Sequence, residues 1–295
     1  MSVQIIEQSV IGKHPDPRKC EDGLFISKDF VAVIDGVTSK GGISWGCPPM
    51  TGTPQGCPSI TGTPQGCPSM TSGCYAREVL LAALQTMPAD IDSVSAIEYL
   101  NLALAAAGQS RYEYLLDHPE ERLQAVIILY SCLRREVWAF GDCQCLIDSV
   151  IHTHSKKIDC LLAQIRCLYD QAELLLGCTA DELSEHDPGR DCILPLLRRQ
   201  FMLANQDSPY GYDVLDGFAI HAHHVSVYPV APKSHVILAS DGYPVVRETL
   251  LETEEALKAL IEKDPLCICE NRGTKGLIKG NLSFDDRTYV RFLAV

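Results

Sequence analysis

Residues 30–36 form the stretch that most restricts how this chain can fold. Five apolar residues, several of them β-branched, are followed directly by Asp35 and Gly36. Such a run predicts a strand that is buried on both faces, because each face must meet a hydrophobic core. Asp-Gly predicts a sharp turn at the strand's end, since glycine allows backbone angles that are closed to other residues. The sequence therefore places a carboxylate at the rim of a sheet.

Taken alone, Asp35 has two interpretations. It can be a simple turn residue, which is the commoner role of aspartate before glycine. It can also be a metal ligand, because a rigid strand would hold its carboxylate in place. The choice depends on whether other strands also end in carboxylates.

Composition limits the classes of function. The chain has 295 residues, of which 46% are hydrophobic and 21% are charged, so it can bury a sizeable core. Its formal net charge of −13 argues against binding to nucleic acid or to an anionic membrane through bulk electrostatics. We predict no signal peptide, since residues 1–12 lack a long apolar core, and no membrane-spanning segment. Fourteen cysteines, several within apolar stretches, favour a reduced protein in the cytoplasm.

Residues 46–73 differ in character from the rest of the chain. The decapeptide that begins at Thr51 recurs almost unchanged from Thr61, and a degenerate copy precedes it. Sequence of this kind, rich in Gly, Pro and Thr, cannot build a packed core. We therefore predict a single domain over residues 1–295 with a low-complexity surface insertion at about 46–73. A zinc site is the alternative, although its four cysteines lack the closely spaced pairs typical of zinc ligands: Cys47, Cys57, Cys67 and Cys74.

The remaining pattern predicts strand hairpins interrupted by helices. Strands are predicted over residues 3–11, 24–27, 30–35, 124–131, 136–140, 145–148, 218–230, 236–240 and 288–295. Helices are predicted over residues 75–87, 95–116, 155–176, 193–205 and 247–262. This order favours an α+β sandwich over a parallel βαβ fold. The first hairpin would place Glu21 and Asp22 at the same end of the sheet as Asp35.

Carboxylates recur at the predicted strand ends, and each alone would be read as a turn residue. They are Glu21-Asp22, Asp35-Gly36, Asp241-Gly242, Asp285-Asp286 and, as a fifth case, Asp142. Carboxylates crowded at one sheet edge repel one another, and divalent cations would remove that penalty. Ligation by oxygen alone is typical of Mg²⁺ or Mn²⁺ rather than zinc. Two such ions can activate a water for in-line attack on a phosphoryl group.

The ordered motifs resemble those of the metal-dependent protein phosphatases, the protein phosphatase 2C family, over nearly the whole chain. They are Glu21-Asp22-Gly23 and residues 30–36, 140–142, 238–242 and 285–288. The resemblance implies a four-layer α-β-β-α sandwich, in which two antiparallel sheets are flanked by helices. It also implies that two Mn²⁺ or Mg²⁺ ions activate a water that hydrolyses phosphoserine or phosphothreonine in a protein substrate. We expect the catalytic domain to be a monomer.

The resemblance implies particular roles at the metal site. Asp35 would bridge the two metals, and the carbonyl group of Gly36 would bind one of them. Asp241 and Asp285 would complete the shell of the other metal. Asp285 is preferred over its neighbour Asp286, because the family's ligand is the first residue of its motif.

Three further acids would lie around the two metals. Glu21 and Asp22 would act near the metals, partly through water. Asp142 would be a candidate ligand for a third, weaker metal. However, many family members have an acid of the third-metal shell where this chain has Val245, which counts against a third ion.

Two more departures concern the substrate. Val37-Thr38-Ser39 stands where many members have a histidine that is proposed as the general acid, so water or another side chain would protonate the leaving group. A phosphate-binding arginine usually lies just before the Glu-Asp pair. Arg18 is the nearest candidate here and Lys13 is the alternative, and either can equally be a solvated surface charge.

Two other patterns suggest different chemistry. Residues 160–166 and 192–198 fit the Cys-x5-Arg spacing of cysteine-dependent phosphatases, but the residues between are helical and apolar rather than a loop that cradles phosphate. His221, His223 and His224 suggest a metal cluster, although no fourth ligand follows and structural histidines are commoner.

Two other functions stay open. The chain could keep the phosphatase fold as a regulatory binding module with little or no activity, which Val245 and the missing histidine favour. The retained acids Asp35, Asp241 and Asp285 oppose that interpretation, because a site without metal has no need of carboxylates that repel each other. The chain could also hydrolyse small phosphoesters.

Overall fold

The computed structural model describes residues 3–46 and 70–295. The strands in these ranges are β1 (Val3–Ile11), β2 (Asp22–Ile26), β3 (Phe30–Gly36), β4 (Ala125–Ser131), β5 (Glu136–Phe140), β6 (Gln144–Ile147), β7 (Val150–His152), β8 (Ser226–Pro229), β9 (His235–Ala239) and β10 (Arg287–Ala294). The α-helices are α1 (Ser72–Thr86), α2 (Ser93–Gly108), α3 (Tyr112–Asp117), α4 (Lys157–Leu175), α5 (Ala180–Glu185), α6 (Pro188–Arg199) and α7 (Leu250–Lys263). None of the helices in the described ranges combines the length and the apolar composition needed to cross a bilayer.

The strands form two five-stranded sheets. One sheet has the order β1-β10-β9-β6-β7, and the other has the order β2-β3-β4-β5-β8. All pairings between the named strands are antiparallel. The predicted α+β class is confirmed.

Side-chain alternation along β3 separates two of the hydrophobic layers. Phe30, Ala32 and Ile34 pack in a core shared with α1 and α2. Val31 and Val33 point the other way, into the core between the two sheets. A third core joins β9 and β10 to α7. The layers therefore follow one another as helices, sheet, sheet and helix, which is the four-layer sandwich that the resemblance implied.

Three predicted elements were wrong in extent. The helix predicted over residues 193–205 is α6, which ends at Arg199 and begins five residues earlier than predicted, because Asp187 caps it and Pro188 suits its first position. The strand predicted over residues 218–230 is reduced to β8, and a 3₁₀ turn at Ala222–His224 precedes it. Its apolar residues pack against the core beneath α2 as an irregular segment, so their hydrophobicity reflects burial and not a strand. The helix predicted over residues 95–116 is divided into α2 and α3, because Gly108, a weak helix former, ends α2.

The predicted insertion lies mostly outside the described residues, but its two ends are described. Trp45 and Met70 pair through two backbone hydrogen bonds of 2.8 and 3.0 Å. Helix α1 begins at Ser72, and the hydroxyl group of Thr71 caps it by accepting a hydrogen bond from the backbone N–H of Cys74. The segment between Trp45 and Met70 therefore leaves and rejoins the fold at one point.

Candidate functional site

The space between the two sheets is polar at one end. Asp22 lies opposite Asp35 in the β2–β3 hairpin, as predicted, so both side chains are on the same face of the sheet. This is the face that carries Val31 and Val33 into the core between the sheets. From the other sheet, the hydroxyl group of Ser240 donates to Oδ2 of Asp22 at 2.6 Å. The two carboxylates thus lie at the rim of the inter-sheet space.

Asp286 makes a second link across this space. Its Oδ2 accepts a hydrogen bond from the backbone N–H of Glu21 (3.1 Å), and its Oδ1 accepts one from the backbone N–H of Lys13 (2.7 Å). A Cβ atom at Gly242 would collide with the carbonyl oxygen of Asp286, so only glycine fits there. This close approach brings Asp241 beside the Asp285-Asp286 pair.

Glu21 lies at the N-terminus of α1. The hydroxyl group of Thr71 donates to its Oε1 at 2.6 Å, and the hydroxyl group of Thr38 donates to its Oε2. The partial positive charge of a helix N-terminus stabilises a carboxylate in this position. Gly36 and Gly73 approach each other so closely that a Cβ atom on either would collide with the carbonyl oxygen of the other. The predicted ligands Glu21 and Gly36 are therefore neighbours at the start of this helix.

Asp35 faces several other carboxylates. Burial and the charges of four acids raise its pKa well above the usual range. In decreasing order of effect, those acids are Asp241, Asp22, Asp285 and Asp142. Burial is the larger cause of the raised pKa of Asp35, and the negative charges of these neighbouring carboxylates add to it.

Asp22 and Asp241 are shifted in the same direction. Asp22 is 2% exposed, and burial raises its pKa to about 8, while the hydrogen bond from Ser240 acts the other way. Oδ1 of Asp22 accepts no hydrogen bond of standard geometry from any residue that the structure describes. Burial and the charge of Asp142 raise the pKa of Asp241 to about 6, but Asp241 lies at an exposed position where solvent screens such effects.

Two lysines compensate Asp285. Nζ of Lys13 lies 2.8 Å from Oδ1 of Asp285, 3.1 Å from Asp286 and 3.6 Å from Glu21. Nζ of Lys275 contacts the other oxygen of Asp285. Burial acts to raise the pKa of Asp285, but the charges of Lys275 and Lys13 hold it below its usual range. Asp285 is therefore ionised at neutral pH.

A third lysine compensates Asp142. Nζ of Lys156, directly before α4, lies 2.8 Å from Oδ2 of Asp142. Among the described residues, the cluster has seven carboxylates and three ammonium groups, so four carboxylates lack a matching cation. We call these carboxylates the acidic centre: Glu21, Asp22, Asp35, Asp142, Asp241, Asp285 and Asp286.

The structure separates the two predicted phosphate-binding residues. Lys13 lies within the acidic centre. Arg18 lies apart from it, because its guanidinium group pairs with Asp16 at 2.8 and 2.9 Å and its side chain is 80% exposed. Lys156 and Lys275 were missed, since their contacts depend on segments far apart in the chain and no local pattern marks them.

The donor chemistry of the acidic centre fits a hard divalent cation. It offers oxygen atoms alone, and the buried Oδ1 of Asp22 lacks a partner among the described residues. Across residues 3–46 and 70–295, however, no three His, Cys, Asp or Glu side chains are grouped so that they could hold a metal ion. The acidic centre therefore matches a divalent cation in charge and in donor type, but the described side chains do not form a complete coordination shell.

The cysteine patterns do not provide a nucleophile at this site. Residues 160–166 and 192–198 lie in α4 and α6, so the prediction that they are helical is confirmed. Cys143 lies beside the acidic centre, where burial and then the charge of Asp35 raise the pKa of its thiol well above the usual range. A thiol of this kind is a poor nucleophile. Of the four proposed zinc ligands, Cys47, Cys57 and Cys67 lie outside the described residues.

The histidine group is not on a strand. His221, His223 and His224 lie at the 3₁₀ turn before β8, with ring centroids 4.5–5.8 Å apart. Nδ1 of His224 lies 3.0 Å from a carboxylate oxygen of Asp213. The rings meet edge-on or tilted, and they belong to no group of metal-binding geometry within the described ranges.

No protein-family model matches this chain, and no curated protein matches it. Solved structures match it along nearly its full length. One is PppA, described as a key regulatory component of T6SS in Pseudomonas aeruginosa, with 11% identity, 99% of this chain and 97% of that chain covered, and a TM-score of 0.45. Another is the catalytic domain of the serine/threonine protein phosphatase PstP with two manganese ions, with 14% identity, 98% of each chain covered and a TM-score of 0.43.

A third is the PPM Ser-Thr phosphatase MsPP from Mycobacterium smegmatis in complex with cacodylate, with 13% identity, 98% of each chain covered and a TM-score of 0.41. The neighbours thus include serine/threonine phosphatases, the class whose motifs this sequence resembles, as well as a regulatory component. At TM-scores below 0.5 the likeness carries no functional conclusion, so the assignment depends on the residues of this chain.

Proposed function

We propose that this chain is a metal-dependent phosphatase that hydrolyses phosphoserine or phosphothreonine in protein substrates. The observation that supports this most is the convergence of Asp35 with Asp22 and Asp241 at the rim of the inter-sheet space. Ordinary turn residues have no reason to meet at such an electrostatic cost, whereas metal ligands do. The ordered phosphatase-like motifs that contain these residues give the class of reaction.

Two Mn²⁺ or Mg²⁺ ions are the cofactors we propose. The ligands of these ions would be the carboxylates of Asp35, Asp241 and Asp285 and the carbonyl group of Gly36. Such cations, when bound, supply the positive charge that the acidic centre lacks and the Lewis acidity that phosphoryl transfer to water requires. Lys13 and Lys275 keep Asp285 ionised, which is the state a metal ligand needs.

The other acids would act around this core. Ser240 fixes one oxygen of Asp22 and leaves Oδ1 available to accept a hydrogen bond from the attacking water. Glu21 is held by two hydroxyl groups and would contribute through water. Asp142 is already paired with Lys156, so a third ion at Asp142 would have to compete with an ammonium group.

The proposal is tested by hydrolysis of p-nitrophenyl phosphate. Turnover is expected with Mn²⁺, and it should be lost with a chelator and in Asp35→Asn, because both treatments remove metal from the site. Asp29→Asn is the matched control, since Asp29 lies in the turn at the opposite end of the same hairpin. Equal turnover with chelator or in Asp35→Asn would contradict the two-metal proposal.

A phosphopeptide panel then tests the substrate class. Release of phosphate from phosphoserine and phosphothreonine peptides is expected to exceed release from small phosphoesters at equal concentration. The reverse preference would favour the small-molecule hydrolase.

A regulatory binding module is the second candidate. The observation in its favour is that ammonium groups already contact Asp285 and Asp142, while the described residues show no assembled metal site. Absence of turnover in every condition, with a folded protein that still binds phosphopeptide, would support this module.

We further propose that the chain acts as a monomer in the cytoplasm, as one domain over residues 1–295 that carries the insertion. All eleven cysteines within the described ranges are free thiols, which is typical of a reducing compartment. Fractionation of cells and light scattering of the purified protein test the location and the monomer.

A further inference from the structure

Two cationic side chains beside the acidic centre, Lys40 and Arg190, lie within 4.0 Å of no carboxylate of the described residues. Nζ of Lys40, in the loop after β3, donates to the carbonyl oxygen of Thr38 at 3.3 Å. No carboxylate of the described residues lies within 4.0 Å of it, in contrast to Lys13, which contacts three. Residues 47–69 contain no Asp or Glu that could serve instead.

Arg190 is in the same situation. It lies in the first turn of α6, and its Nη1 donates to the carbonyl oxygen of Thr274 at 2.5 Å. No carboxylate within the described ranges approaches its guanidinium group to 4.0 Å. A guanidinium group has five N–H donors in a planar fork, so Arg190 keeps several donors for another acceptor.

Backbone and side-chain contacts place both cations at the edge of the acidic centre. Thr38, which accepts from Lys40, itself donates to Glu21. Thr274, which accepts from Arg190, directly precedes Lys275, the partner of Asp285.

The two cations are also close enough to affect each other. Burial and then the positive charges of Arg190 and Lys275 lower the pKa of Lys40 to about 8. The three cationic groups therefore share one region, although they come from three separate segments of the chain.

Arg190 and the segment before Lys275 are fixed to one buried anchor. Asp187 caps α6 by accepting from the backbone N–H of Arg190 at 2.6 Å, and it pairs with the buried guanidinium group of Arg166 at 2.7 Å. Arg166 also donates to the carbonyl oxygen of Gly273 at 3.0 Å. These contacts fix the backbone at Arg190 and just before Lys275, so the two side chains start from positions that are set before a ligand arrives.

We propose that Lys40 and Arg190 bind the phosphoryl group of the substrate at the margin of the acidic centre, the role for which the sequence suggested Arg18 or Lys13. This rests on the proposed phosphatase function. Divalent cations would neutralise the acidic centre, but the phosphoryl group brings two negative charges of its own, and two cations beside the centre would compensate them. An arginine fork matches phosphate oxygens in pairs, and a lysine adds a point charge.

Inorganic phosphate, the product of the reaction, is the probe. Its inhibition constant is measured in the p-nitrophenyl phosphate assay with Mn²⁺, and the rise in Tm that it causes is measured without substrate. Lys40→Gln and Arg190→Gln are each expected to raise the inhibition constant of phosphate by about tenfold or more, because each removes a charge-assisted hydrogen bond. KM should rise more than kcat falls.

Matched controls separate this site from general loss of charge. Arg198→Gln removes an exposed arginine from the same helix, and Lys28→Gln removes an exposed lysine from the far end of the β2–β3 hairpin; neither should change phosphate affinity. Arg190→Lys keeps the charge and loses the fork, so it should recover part of the affinity. Thermal unfolding shows whether each variant is folded. If Arg190→Gln does not fold, Arg190→Lys still tests the role of the guanidinium group.

The outcomes distinguish this inference from the proposed function. No phosphate-induced rise in Tm in the wild type, or an equal rise in the Lys40 and Arg190 variants, overturns the inference. Loss of phosphate affinity in Arg18→Gln instead assigns the role to Arg18 and also overturns it. If phosphate raises Tm only when Lys40 and Arg190 are intact, yet Mn²⁺ gives no turnover, the anion site stands and the phosphatase proposal fails.

Discussion

Two clusters of buried charge in this protein differ in how completely they are compensated. In the Arg166 network, one buried guanidinium group contacts Asp187 at 2.7 Å and Asp170 at 3.4 Å, and it donates to three backbone carbonyl groups of residues 266–273. In the acidic centre, seven carboxylates face three ammonium groups, and Oδ1 of Asp22 is left without a partner among the described residues.

The difference separates a structural role from a functional one. A buried charge whose partners are all present joins elements together, and here it joins α4 and α6 to the segment before β10. Both clusters hold more carboxylates than cations, but in the Arg166 network each carboxylate also accepts a backbone hydrogen bond, Asp170 from Gly189 and Asp187 from Arg190. A cluster whose buried oxygen atoms lack donors is unfavourable until a cation binds, and such clusters concentrate at functional sites. The acids of the acidic centre are thus better explained by a ligand than by stability.

The largest expected effect is on the stability of the compensated cluster. Arg166→Leu should lower the free energy of unfolding by about 3–5 kcal/mol, because the buried Asp170 and the partly buried Asp187 would lose their cation. Urea unfolding followed by circular dichroism measures it. Arg198→Leu, at an exposed position of α6, is the control and should change little. A loss as small as that of the control would mean that the network is not structural.

Removing a charge from the acidic centre is expected to stabilise the protein, in contrast to removing Arg166. Without divalent ions, Asp22→Asn should raise the free energy of unfolding at pH 8 by about 1–3 kcal/mol, because it removes a carboxylate that burial disfavours. The asparagine can still accept the hydrogen bond from Ser240. Urea unfolding in chelator measures this change, and a clear loss of stability would show that Asp22 is a structural residue like Arg166.

The same variant has a defined pH dependence. The ordinary pKa of an aspartate is 3.8 and that of folded Asp22 is about 8, so between these values the folded protein holds a proton that the unfolded chain has lost. In the absence of metal, Asp22 therefore contributes its full stabilisation below pH 3.8. That contribution falls as the pH rises and is lost above pH 8. The difference between wild type and Asp22→Asn should grow over this window, and saturating Mn²⁺ should reduce it. A constant difference would contradict the shift.

The smallest effect is expected from shortening the insertion. Replacing residues 47–69 by one glycine would leave a two-residue Gly-Gly turn between Trp45 and Met70, a length that suits a hairpin. Stability should rise by about 2 kcal/mol or less, since closure entropy varies slowly with loop length and the loop becomes shorter. Metal-dependent turnover should be unchanged if the acidic centre, like the Arg166 network, is held by the described residues alone. If the shortened variant folds but loses turnover, the insertion contributes to activity.

Local pattern predicted much of this architecture. The apolar run before Asp35 marked a buried strand, and the short hairpin turn placed Asp22 opposite it, because both features depend on neighbouring residues. The cations could not be predicted in this way. Lys13 and Asp285 are separated by 272 positions, and only the folded sheets bring them together.

Two errors have the same physical cause. The apolar residues after Phe218 are buried by tertiary contacts with the core beneath α2. Their hydrophobicity was therefore wrongly interpreted as a strand. Arg190 lies before the helix predicted over residues 193–205 and no sequence pattern marked it, because its surroundings are set only when distant segments are in place.

The pairing of Trp45 with Met70 has a consequence for how this gene can change. Because the chain departs and returns at adjoining positions, the distance between them does not depend on how many decapeptide copies lie in between. Replication slippage could add or remove whole copies, in frame, without altering the strands and helices on either side. The number of copies is therefore free to vary among close relatives, even where the carboxylates of the acidic centre are fixed.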